Sequence, residues 1–235
     1  MKVIGKDIGT ALDVMYAELE QRVRIEAECE LRVEPFEAGA FSSVDWVPGA
    51  AVISLHNGVP THALPHVFGV ALQHIRQHLD RYPTVVGGPR DVYGGDIVRT
   101  TLRELLMAPE AETALAPLNL DTTWETEQRH SGLKDLLRDA PKEWGDLSQP
   151  GGVFATLQYA RFAIEHPAAL WAALQGPFAE KLPDAAEAGE HIVALVLEKG
   201  WSTPGACLEA LVAVRDVLSL NAYVGIEDLR NGAVV

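Results

Sequence analysis

Two hydrophobic periods meet in the first third of the chain. Residues 51–55, AVISL, are largely apolar with β-branched Val52 and Ile53. Pro48-Gly49 and Asn57-Gly58 bracket them, so the run reads as a strand between turns. From Leu64 the period becomes helical, and Phe68, Leu72, Ile75 and Leu79 fall on one face, a stripe expected to be buried. Pro65 suits the first turn of that helix, which ends near Tyr82-Pro83. Upstream, residues 7–23 place Ile8, Ala11, Leu12, Met15 and Leu19 on one helical face. Residues 25–36 then alternate: Ala27, Cys29, Leu31 and Val33 against Glu26, Glu28, Glu30, Arg32 and Glu34. That is a half-exposed strand with an acidic outer face, and residues 41–47 form another.

Residues 85–96, VVGGPRDVYGGD, follow no nucleotide-binding fingerprint, because no strand precedes the glycines in the required place. They read as a surface loop or as a flap beside a pocket. Everything after Asp96 reads as helix. The segments are 97–107 capped by Asp96, 109–115 opened by Pro109, and 123–137 capped by Thr122 or Thr123. They continue with 153–165, 167–175, 182–198 and 203–218, with Gly176 and Gly200 as stops. The class is α+β: a small, twisted antiparallel sheet packed on a His-bearing helix, with a mainly helical C-terminal half. One domain over residues 1–235 is expected, with an α/β part to about residue 140 and a helical part from residue 150.

Composition narrows the function classes. An apolar fraction of 48% fills a core, and a net charge of −14 repels phosphate backbones. Arg76, Arg81, Arg90, Arg99 and Arg103 are diluted by Asp80, Asp91, Asp96 and Glu104, so no basic patch offsets it and no nucleic-acid partner is expected. The two cysteines, Cys29 and Cys207, form no Cys-x-x-Cys pair and read as reduced, buried thiols. No stretch approaches the ~18 apolar residues of a membrane span, and the N-terminus has no apolar signal region. A cytoplasmic protein without a membrane partner is expected.

The candidate chemistry lies on the helix that follows the strand. His62, His66, His74 and His78 lie in or just before it. His74 and His78 are one turn apart, about 40° around the axis, close enough for two imidazoles to share one Zn²⁺. Glu104 on the next helix is a candidate third ligand. His66 lies about 80° from His74, so the two meet a common partner only by long reach. His56, at the strand end, reads as a turn residue or as pointing to the same cleft. Trp124, Trp144, Trp171 and Trp201 are spread over different segments and read as core anchors or interface residues.

The strand at 51–55, Pro60, the helix LPHVFGVALQHIRQHL and the following Tyr82-Pro83 resemble the bacterial family of small intracellular zincin-like proteins related to the IrrE-type metallopeptidases. The resemblance runs more weakly through LRELLMAPEAETALAPLNLD and covers about half of the chain. Such enzymes bear His-Glu-x-x-His, whose glutamate polarises the metal-bound water. The best register sets that motif on Val70-Ala71-Leu72-Gln73-His74, where only His74 survives. Two other registers keep both histidines but put Ile75 or Ala63 at the glutamate position. The resemblance therefore implies a pseudoprotease: a non-catalytic zincin-like protein, without a cofactor, that binds a protein or a peptide along an exposed sheet edge. The alternative is a zinc-binding metalloprotein or metallohydrolase using His74, His78 and Glu104. A third class is a helical interaction module whose likeness to zincins is accidental.

Overall fold

The computed structural model describes residues 1–37 and 39–235. Its contacts group into two compact units. The first comprises Met1–Asp80 and Ala111–Glu127; the second comprises Arg81–Glu110 and Gln128–Val235. The class is α+β with a helical C-terminal half, as the sequence implied. The loop between residues 141 and 150 lies inside the second unit.

The first unit opens with a hairpin, β1 (Lys2–Val3) and β2 (Lys6–Asp7), followed by α1 (Asp13–Glu26). The helix expected from residue 7 starts later because Gly9, at φ +72°, is left-handed and interrupts any helix there. Ile8 and Leu12 are buried all the same. Glu28, at φ +54°, separates α1 from β3 (Glu30–Phe36), so the strand starts after the alternation does.

β4 (Ser42–Val47) and β5 (Ala50–His56) form an antiparallel hairpin, and Gly49 supplies the positive φ of its two-residue turn. β3 pairs with the other side of β5 in parallel, giving the order β3-β5-β4. The sheet is therefore mixed, not antiparallel. β5 takes the centre because Ala51, Ile53 and Leu55 are fully buried. β3, with exposed Glu30, Arg32 and Glu34 and with Pro35, has the composition of an edge strand. Hydropathy reports which faces are buried; it carries nothing about strand direction.

α2 (Leu64–Leu79) packs on that sheet and on α1. Phe68, Leu72 and Ile75 are 0% exposed, so the stripe read from the sequence is the buried one. Burial extends further round the helix, to His66, Gln73, His74 and Gln77. Gly69 allows close approach: a Cβ there would meet the Leu115 side chain at 3.1 Å. Leu115 ends α3 (Gly95–Leu115), whose last turn lies in the first unit together with the start of α4 (Thr123–Asp139).

The second unit holds β6 (Thr84–Gly87), most of α3 and α4, α5 (Pro150–Glu165), α6 (Ala168–Lys181), α7 (Pro183–Lys199), α8 (Pro204–Val217), β7 (Val224–Asp228) and β8 (Ala233–Val234). The strands form an antiparallel sheet, β6-β7-β8. Two readings fail here: the glycine-rich segment begins as a strand, and the C-terminus is not helical. Val224 and Ile226 are buried in the unit's larger core, so tertiary packing sets the conformation of this short run. α3 continues through Pro109, since Leu102, Leu105, Leu106 and Met107 are buried, and packing outweighs one missing N–H. α6 likewise runs past Gly176 to bury Phe178. Thr203 caps α8, accepting from the Ala206 N–H at 3.2 Å.

Both cysteines are free thiols, but only Cys207 is buried; Cys29 is half-exposed. Burial, with a smaller contribution from Glu110, pushes the Cys207 thiol up to about 12. No helix among the described residues is long and apolar enough to cross a membrane.

Candidate functional site

On α2 the two positions that the sequence resemblance aligned with a zincin motif are dry. Ala71 is 0% exposed and Val70 8%, and neither carries a donor atom. His74 is buried, and its Nδ1–H donates to Gln77 Oε1 at 2.8 Å. His78 is half-buried and lies flat against Trp46 of β4, with ring centroids 4.1 Å apart and planes 26° apart. Glu104 belongs to the second unit, where Arg103 Nη1 donates to its Oε1 at 2.8 Å. Among the described residues, no group of three or more His, Cys, Asp or Glu side chains is arranged to hold a metal ion. His56 is a turn residue: its Nδ1 accepts from the Gly58 N–H at 2.9 Å.

A more tightly built cluster surrounds His66 in the first turn of α2. Its Nδ1 lies 2.7 Å from Glu125 Oε2 and its Nε2 2.9 Å from Glu112 Oε2. Carboxylates only accept, so both ring nitrogens donate and the ring is an imidazolium. His66 is 3% exposed. Burial pulls its pKa down, but the two carboxylates outweigh burial and raise it to about 9. The partners are needed, because a cation at a helix N-terminus opposes the helix dipole. Glu125, in the first turn of α4, has the favourable sign for its own position. In this doubly protonated state the ring ties the first turn of α2 to α3 and α4 through two charge-assisted hydrogen bonds.

The second unit contains its own histidine cluster. His130 Nδ1 and His166 Nε2 are 3.0 Å apart, with ring centroids 5.3 Å apart and planes 4° apart. That combination describes two nearly coplanar rings joined edge to edge by one hydrogen bond, with one nitrogen donating and the other accepting. Burial lowers both pKa values. Lys134 adds to the effect at His130, and His130 and Arg129 add to it at His166. Glu165 lies next to His166 in sequence, with Arg161 Nε at 2.8 Å and Arg129 Nη1 at 3.3 Å. Burial raises its pKa against the pull of both arginines.

Sequence reasoning weighed His66 only as a possible ligand and missed what holds it. Glu112 and Glu125 are 46 and 59 residues away, beyond any helical spacing. The pair His130–His166 carries no local signal either, being 36 residues apart. No protein-family model matches the chain, and no curated protein or solved structure matches it.

Proposed function

We propose that this chain acts by binding, without metal-dependent turnover, and that a protein or peptide segment of its partner adds along the outer edge of β4. The observation that carries the reading is the environment of Val70 and Ala71. Both stand where a zinc peptidase would need a ligand and a general base, and both are buried without a donor atom. Restoring water activation would require replacing two side chains at once.

The edge itself has the right form. The His56 N–H donates to the Phe41 carbonyl at 2.9 Å, which fixes the alternation along the hairpin. Ser42, Val44 and Trp46 therefore turn their backbone N–H and C=O groups away from β5, and no strand among the described residues pairs with that side. Such an edge offers main-chain hydrogen bonds to an extended peptide. Trp46, stacked on His78, adds a fixed aromatic surface beside it.

The test uses Val44→Pro. Proline there removes an outward N–H and no ladder bond, so the sheet is retained while strand addition is blocked. Peptides enriched from a displayed random library on the purified native protein should lose at least about tenfold in affinity for the variant. Equal binding to both proteins, or no enrichment at all, would sink the edge as the site. Stoichiometric zinc in the native protein, lost on His78→Ala, would replace this reading with the metalloprotein one.

A further inference from the structure

The second unit carries a cleft of about 560 Å³ between the start of α5, α7 and the end of α8. Among the described residues no Lys, Arg, Asp or Glu lines it, although the chain has 52 such residues (19 basic and 33 acidic). Val153, Ala188, Val217 and Leu220 supply an apolar surface. His191, Ser219 and Tyr223 are polar lining residues, beside Ser148, whose hydroxyl donates to Asp146 Oδ1 at 2.7 Å. Among the described residues the side chains of His191, Ser219 and Tyr223 have no protein hydrogen-bond partner, and no buried side-chain polar atom lacks one. Tyr223 lines the cleft, and its hydroxyl is not sealed in the core.

The wall carrying Tyr223 is fixed by the glycine-rich segment. The Arg90 N–H donates to the Ala222 carbonyl at 2.9 Å, and Arg99 Nη1 donates to the Tyr223 carbonyl at 3.3 Å. Gly88 lies so close that a Cβ would stand 2.7 Å from the Tyr223 carbonyl carbon and the Val224 nitrogen. Glycine at that position is what lets the segment press against the wall.

We propose that this cleft binds a small, uncharged amphiphile: an apolar body with one hydrogen-bond acceptor set toward Tyr223. Three arguments converge on that class. The size falls in the range of about 300–1,000 Å³ usual for small-molecule sites and is too small for a folded segment. An ionic ligand would lose its hydration and meet no opposite fixed charge. A Tyr hydroxyl on an apolar wall is satisfied by a ligand acceptor.

The probe is 6-propionyl-2-dimethylaminonaphthalene, which is neutral, bears a carbonyl acceptor and changes emission on leaving water. The native protein should bind it saturably at one site with a blue shift. Tyr223→Phe, which keeps the ring and removes the hydroxyl, should weaken binding about fivefold to tenfold. Ala188→Trp should abolish it by filling the space, with circular dichroism confirming a folded variant. If that variant does not fold, the comparison rests on Tyr223→Phe and on the anionic probe 8-anilino-1-naphthalenesulfonate, expected to bind at least about tenfold more weakly than the neutral one. Absence of saturable binding, unchanged binding in Tyr223→Phe, or equal affinity for the anionic probe would each overturn the proposal.

Discussion

Two histidine clusters, one in each unit, put the same side chain to opposite electrostatic use. His66 stands between two carboxylates and is held as a cation up to about pH 9. His130 and His166 share one hydrogen bond with each other, with arginine and lysine nearby, and burial lowers both of their pKa values. All three are at least partly buried, so burial alone does not decide protonation. What decides it is how many acceptors of negative charge lie within hydrogen-bond reach of the ring.

The largest effect should come from breaking the charged cluster. His66→Ala removes the imidazolium that bridges Glu112 and the almost fully buried Glu125, and should cost about 3–5 kcal/mol in a urea titration. A loss under about 1 kcal/mol would mean that the ring is not a buried cation.

Next in size is the response to alkali. His66 has a folded pKa raised above its unfolded value of 6.5, so its stabilisation is fully present below pH 6.5 and is lost as pH rises through about 9. The rise from 6.5 to about 9 corresponds to roughly 3 kcal/mol. Urea midpoints measured from pH 6.5 to pH 10 should fall for the native protein and stay flatter for His66→Gln. A ring-proton NMR titration placing His66 below pH 7 would refute the charged state directly.

The second cluster should respond with the opposite sign and less strongly. Its folded pKa values are depressed, so the unfolded chain binds more protons and stability is lost as pH falls below about 6.5. At neutral pH, His130→Ala removes one hydrogen bond and should cost about 1 kcal/mol. If the midpoint instead rises on acidification in the native protein but not in the variant, the pair shares a bound anion and is not neutral.

The sequence revealed elements whose evidence is local. The period of β5 and α2 is written in consecutive residues, and Phe68, Leu72 and Ile75 are buried as read. The helices read over residues 182–198 and 203–218 are present within a residue or two of those bounds. Punctuation misled where packing overrode it: Pro109 and Gly176 lie inside helices. Direction and distance were not legible. Nothing in residues 30–36 says that they run parallel to β5, and nothing in residues 224–228 distinguishes a strand from a loop without β6 beside it. Of the candidate site, the dry motif positions were legible because Val70 and Ala71 lack donors whatever surrounds them. The contacts of His74 with Gln77 and of His78 with Trp46 required the fold.

The interleaved chain path has a consequence for biosynthesis. A ribosome releases residues 1–80 well before residues 111–127, yet both stretches belong to the first unit. The nascent N-terminal stretch holds β5, α2 and His66 but neither Glu112 nor Glu125. Its buried ionic cluster closes only after residue 125 has been added, by which time residues 81–110, which belong to the second unit, have also been made. The first unit therefore cannot be completed until synthesis has passed residue 127, about halfway along the chain.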